Sequence, residues 1–172
     1  EIESSLLAFF LQANGYKMLG KFDSVDLYVE KMIDLNSSTG ENDTLFMSVA
    51  YMYKTHILSL SMDCEYNIHY LNKLWDDKKW SRLGIASGYS NQLYKCGEIL
   101  NSRLVLRYAI NHAKDNPYYD TKIPHYFYCM SNTFIDQNSP DSVCYWLNRA
   151  ISSQNGNLLD LYIEKKKELC NP

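Results

Sequence analysis

The sequence predicts an all-α chain of about four antiparallel helix pairs closed by a C-terminal capping helix. Three observations lead there. Chain breakers are scarce, with 7 Gly and 4 Pro in 172 residues, while amphipathic aromatics abound, 15 Tyr among them. A ladder of small and apolar residues recurs at fixed offsets. Polar, Gly- and Pro-containing punctuation falls between the copies of that ladder.

The bulk composition bounds the rest. The length suits one ordinary domain or one stack of repeats. At 46% hydrophobic and 22% charged, the chain is a globular protein rather than a disordered one. A net charge of −3 and a pI near 5.8 give no basic footprint for nucleic acid. The longest apolar run, Leu6–Leu11, is far too short to span a bilayer, and no charged leader precedes it as in a signal peptide. The chain starts on Glu1, which suggests a processed protein or a domain cut from a longer one. Cys64, Cys96, Cys129, Cys144 and Cys170 are odd in number and never spaced as Cys-x-x-Cys. They read as small packing residues of a cytoplasmic, reduced protein, with one disulfide left open because sequence gives no connectivity.

The ladder is clearest in the first pair. The run from Tyr16 to Leu35 reads as a helix end, a Gly turn, an aromatic-Asp helix start and a second amphipathic helix. From Ala13, rungs at offsets 3, 7, 12, 16 and 19 are Tyr16, Gly20, Val25, Val29 and Met32. Unchanged, the same offsets from Ser90 give Leu93, Gly97, Ser102, Leu106 and Ala109. From Ser131 they give Phe134, Asn138, Val143, Leu147 and Ala150. Gly and Asn tolerate the left-handed conformation that ends a helix, and small rungs let two helices approach closely. The remaining copy is stretched: Ala50 and Tyr53 match its first helix, and Ile68, Asn72 and Trp75 its second, about six residues later than elsewhere. Measured at the last rung, successive copies lie 43, 34 and 41 residues apart. The pairs span approximately 6–37, 43–77, 82–116 and 124–155, with the capping helix at 157–169. Residues 36–43 read as a polar linker in which Asp43 or Thr44 caps the next helix. Asp115-Asn-Pro-Tyr breaks the chain before a helix from His125, and Ser139-Pro-Asp opens another. Leu158, Leu159, Tyr162 and Ile163 form the inner face of the final helix, whose charged stretch Glu164 to Glu168 faces out.

This pattern resembles the tetratricopeptide repeat family, most closely over Gly20-Lys-Phe-Asp-Ser-Val-Asp-Leu-Tyr with Lys31-Met-Ile-Asp-Leu-Asn. The resemblance covers roughly residues 6–155. Ala stands at the first rung only at Ala13 and Ala50, and Asn36-Ser-Ser, not Pro, closes the first copy. The family implies a right-handed superhelical stack whose first helices line a concave groove, with the residue after each small rung pointing into it. Here those residues are Asn14, Tyr51, Asn91 and Asn132; one turn on stand Lys17, Lys54 and Tyr94 with Lys95, and one turn back Phe10, Met47, Ser87 and Tyr128. An amide side chain offers donor and acceptor together and so suits a peptide backbone; Lys suits a carboxylate, and Tyr gives contact area at low entropy cost. Against this, Asn is frequent throughout, so three at one rung can also be chance.

Catalytic constellations are lacking. His56, His69, His112 and His125 are isolated, with no two histidines four apart, and Asp76-Asp77 with Lys78-Lys79 reads as a solvated helix end. The aromatic series Tyr66, Tyr70, Trp75, Trp80, Tyr89, Tyr94 and Tyr108 reads as core between repeats. The expected function is therefore a non-enzymatic peptide- or protein-binding domain without metal or cofactor. It resembles the peptide-sensing domains of bacterial regulators, without their helix-turn-helix. The alternative is a structural or oligomerisation module, its concave face closed by its own termini or by a twin subunit.

Overall fold

A computed structural model describes residues 2–39, 44–60, 63–76, 82–153 and 158–170. Among these residues the regular structure is helical throughout, with no strand. The chain divides into two compact units, Glu1–Gly88 and Tyr89–Pro172.

The first unit contains α1 (Ile2–Met18), α2 (Phe22–Thr39), α3 (Thr44–Leu60), α4 (Cys64–Asp76) and the start of α5 (Arg82–Lys95). In it α1 packs on α2, and α2 on α3. The second unit contains the rest of α5, then α6 (Ile99–Ala113), α7 (Pro117–Asp120), α8 (Ile123–Asn132), a 3-10 turn (Ile135–Gln137), α9 (Pro140–Ser153) and α10 (Leu159–Cys170). There α8 packs on α9, α9 on α10, and α6 on α8.

The turn rungs behave as their residue types require. Gly20, Gly97 and Asn138 have φ of 67°, 84° and 53°. At the first turn Lys21 N–H donates to Tyr16 C=O and Gly20 N–H to Lys17 C=O, both at 3.0 Å. At the second, Glu98 N–H donates to Leu93 C=O at 2.8 Å and Gly97 N–H to Tyr94 C=O at 3.0 Å. This is the Schellman pair of bonds, which satisfies carbonyls that the ending helix leaves orphaned. The next helix starts at once. Val25, Ser102 and Val143 donate their N–H groups to the carbonyls of Lys21, Glu98 and Ser139, each the residue directly after its turn rung.

The rungs also form the cores. Ala13, Ser90 and Ser131 are buried at the first rung, and Val25, Val29, Met32, Ser102, Leu106, Ala109, Val143, Leu147 and Ala150 on the second helices. Ser90 and Ser102 meet hydroxyl to hydroxyl at 2.8 Å, so the two polar rungs of that pair satisfy each other in the interior. The stretched copy corrects the reading. Ala50 and Tyr53 are buried as expected, but on α4 the buried residues are Asn67, Leu71 and Leu74, not Ile68, Asn72 and Trp75. The ladder there is one residue out of register because a polar residue occupies a core rung: Asn67 Nδ2 donates to Leu58 C=O at 2.7 Å.

Two further expectations change. Asn36 is a buried residue of α2, which runs to Thr39, so it does not open a linker; 40–43, with the cap expected at Asp43, lie outside the described residues. Cys144 and Cys170 are not packing thiols but a disulfide, with Cα atoms 5.7 Å apart, fastening α10 to α9. On α10 the inner face centres on the fully buried Tyr162, while Leu158 is exposed.

Candidate functional site

The groove residues expected from sequence fall into one set per unit. In the first unit, Asn14 is half-buried and its Oδ1 accepts a 2.7 Å hydrogen bond from the buried Tyr53 hydroxyl. Lys17 is exposed, with Nζ 4.7 Å from the Tyr53 ring centroid. Asn14 and Lys17 therefore come together over one tyrosine of α3. Lys54 does not join them at the surface. It is 5% exposed and lies between Asp26 Oδ1, at 2.7 Å, and Glu30 Oε1, with the Tyr70 ring 4.9 Å away. Burial works against its charge, but the two carboxylates prevail and hold the ammonium above its ordinary range. Its cation is used inside the unit and is not offered to a ligand carboxylate. The side chains of Tyr51 and Met47 lie outside the described residues.

In the second unit, Asn91 and Lys95 are exposed one turn apart on α5. Tyr94 is half-buried and its hydroxyl donates to Asp136 Oδ2 in the 3-10 turn. Partial desolvation, then the neighbouring carboxylate, pushes that phenol up to about 12. On α8, Tyr128 and Asn132 are half-buried one turn apart. Tyr128 stacks on Tyr162 of α10 at 5.0 Å between centroids. Each Asn adjoins a buried serine rung, Ser90 or Ser131, and neither amide side chain is hydrogen-bonded by the fold among the described residues.

Arg103 was not foreseen. From α6 its Nε donates to Thr133 Oγ1 at 3.0 Å, and its Nη2 to Thr133 C=O at 2.7 Å and Gln137 Oε1 at 2.6 Å. Its guanidinium also lies 3.5 Å from the Phe134 ring centroid. The fork thus clamps the irregular 133–138 turn to α6, a use of planar geometry that a lysine could not reproduce.

His56 meets the Phe22 ring edge-on at 6.0 Å, and His112 stacks on Tyr108 at 4.1 Å. His69 lines an open cleft of about 360 Å³ with Asp63, Glu65 and Tyr66. The pairing that does occur is His125 with Cys129, Nε2 to Sγ at 3.6 Å along α8. Its signal was present as His-x-x-x-Cys, but a search for two histidines four apart passes over it. Burial pushes the Cys129 thiol up to about 12, and burial with Lys122 holds His125 below its ordinary range. Both groups are therefore neutral, the opposite of an activated thiolate–imidazolium nucleophile.

Comparison with family models, with curated proteins and with solved structures finds no match. The residues carry the functional argument alone. No helix among the described residues is long and apolar enough to cross a membrane.

Proposed function

We propose that the chain is a non-enzymatic tetratricopeptide-like domain that binds an extended peptide or protein segment along the first helices of its pairs. The observation that carries this reading is the state of Asn91 and Asn132. Each stands beside a buried small rung, and the fold leaves its donor and acceptor unused. An amide in that state can take a backbone C=O and N–H from a ligand of any sequence. Lys95, exposed one turn beyond Asn91, supplies the cation for a peptide carboxylate; Lys54, held by its own carboxylates, does not.

The test is a panel of short peptides titrated against the chain, followed by tyrosine and tryptophan fluorescence and by melting temperature. Asn91→Ala with Asn132→Ala should weaken a bound peptide at least tenfold, about 1.4 kcal/mol, with the melting temperature of the free chain unchanged. Failure of every peptide to bind, or loss of the fold in the double variant, refutes the assignment. A second reading, an oligomerisation module, is favoured by one feature: Leu100 and Leu104, 73% and 59% exposed, stand one turn apart on α6. A concentration-dependent dimer lost in Leu100→Ser, with no peptide bound, would decide for it.

The reading also carries an oxidising compartment in place of the cytoplasmic one expected from sequence. Cys144–Cys170 is bonded, and Cys129 is the one free cysteine. Alkylation of the denatured chain before and after reduction should label one cysteine and then five.

A further inference from the structure

The outer face of α1 departs from the pattern of a surface helix, and it involves none of Asn91, Lys95 and Asn132. Leu6 and Ala13 form the buried side of this helix. A helix with one side in a core ordinarily turns charged and polar residues to water. Here Leu7, Leu11 and Met18 are 45%, 59% and 86% exposed, and Ser4, Ala8 and Gly15 are exposed among them. Not one charged residue occurs from Ser4 to Tyr16. The final helix, α10, does the reverse: Glu164, Lys167 and Glu168 are among its exposed residues.

The spacing says what kind of surface this face fits. Ser4, Ala8, Leu11, Gly15 and Met18 follow one another at steps of four, three, four and three. That alternation is the seam by which one helix lies along another at a shallow crossing angle. Turned end for end about Leu11, the seam matches itself. Leu7 comes level with Gly15 of a second copy, Met18 with Ser4, and Leu11 with Leu11. Each large side chain then meets a small residue, except at the centre, where two leucines pack together. No atom lies within 4 Å of the place a Cβ on Gly15 would take, so the space above it is open to such a side chain.

The charge pattern agrees. A partner with a charged face would have to strip water from its charges against Leu7, Leu11 and Met18, with nothing there to pair them. A second copy of the same uncharged seam carries no such cost. Antiparallel packing also sets the positive end of one helix dipole beside the negative end of the other. A lipid surface fits less well. Helices that lie in a bilayer interface carry Lys and Arg beside their apolar face, and from Ser4 onwards α1 has neither before Lys17.

We propose that the outer face of α1 is a contact between two copies of this chain, packed antiparallel across a twofold axis at Leu11. Such an axis demands the reciprocity that the seam shows, each residue meeting its counterpart in both directions. With 17 residues, α1 is about 25 Å long. One helix pair of that length belongs with interfaces below about 1,200 Å², so the dimer exchanges with monomer in about the micromolar range.

The experiment is sedimentation of the whole chain across about 1 μM to 1 mM, with a monomer–dimer equilibrium expected. Leu11→Glu sets two like charges on the axis and should raise the dissociation constant at least about 100-fold. Gly15→Leu has open space in the single chain but fills the room that Leu7 needs, and should weaken the dimer about tenfold. Leu100→Ser should leave it intact. Should Leu11→Glu fail to fold, cysteine cross-linking under mild oxidation decides, with the unmodified chain as control. Leu11→Cys should cross-link to itself, whereas Leu7→Cys should do so only when mixed with Gly15→Cys. A chain that stays monomeric throughout overturns the proposal, as does a dimer that survives Leu11→Glu or is lost in Leu100→Ser. Self-cross-linking of Leu7→Cys would overturn the antiparallel register. Peptide titration reads different residues, so the peptide-binding assignment stands or falls separately.

Discussion

The two second helices of the first unit, α2 and α4, solve the same packing problem with different residues. On α2 the core rungs are Val25, Val29 and Met32, all apolar and all buried. On α4 the matching face is Asn67, Leu71 and Leu74. Asn67 is tolerated there because Leu58 C=O lies in the last turn of α3, where a helix carbonyl has no partner of its own. The difference teaches that a hydrophobic ladder marks a helix face only where every rung is apolar. Where a polar side chain completes a neighbouring helix end, the apolar residues beside it, Ile68 and Trp75, point to the wrong register.

The strongest way to break this comparison is to truncate the rung that each register requires. Leu71 is fully buried, so Leu71→Ala should cost about 2–5 kcal/mol, measured by chemical denaturation. Asn72, the rung read from sequence, is exposed, and Asn72→Ala should cost about 0.5 kcal/mol or less. The reverse order would restore the unshifted ladder and remove the contrast between α2 and α4.

Lys54 is where side chains of the two helices meet. Asp26 and Glu30 of α2 hold its ammonium, Tyr70 of α4 lays its ring 4.9 Å away, and the Tyr70 hydroxyl donates to Glu30. Lys54→Met keeps the volume but leaves two carboxylates facing each other. Both are more than a third exposed, so the cost falls below the 3–5 kcal/mol of a fully buried broken pair, at about 2 kcal/mol. Asp26→Asn should cost less, because Glu30 still neutralises the lysine. Negligible losses in both variants would mean that Lys54 stabilises by packing of its stem alone.

Asn67→Ala tests the contrast at its origin. It removes the hydrogen bond to the Leu58 carbonyl and strands that carbonyl in the interior, which should cost about 1–2 kcal/mol in the same denaturation assay. A neutral effect would show that water reaches the end of α3, and α4 would then be held by Leu71 and Leu74 without help.

The uneven legibility of the chain follows from range. The turns and the rungs around them depend on residues within 20 positions of one another, and Gly20, Gly97 and Asn138 were readable because a left-handed residue has few candidates. Lys54 with Asp26 and Arg103 with Thr133 join residues 28 and 30 apart, so nothing local distinguishes either cation from a solvated one. Lys54 accordingly read as a ligand group and Arg103 as nothing. His125 and Cys129 were missed although they are local. A pattern that admits Cys beside His at that helical spacing finds them.

The last contrast lies at the turns, where the regular copies can be compared with one another. Gly20 and Gly97 close α1 and α5 with the same two hydrogen bonds and open side-chain space, so Gly20→Ala and Gly97→Ala should each cost about 1–2 kcal/mol through the left-handed backbone alone. Asn138 ends a 3-10 turn instead, with one bond, from its N–H to Ile135 C=O at 3.3 Å, and with Arg103 clamping the turn beside it. Asn already tolerates φ of 53°, so Asn138→Gly relieves little strain and adds freedom to the unfolded chain. The two effects oppose each other, and the melting temperature should move by no more than about 0.5 kcal/mol in equivalent stability. A gain as large as the loss in Gly97→Ala would mean that the Arg103 clamp forces Asn138 into a conformation it resists. The third turn would then be held from outside, unlike the two that close themselves.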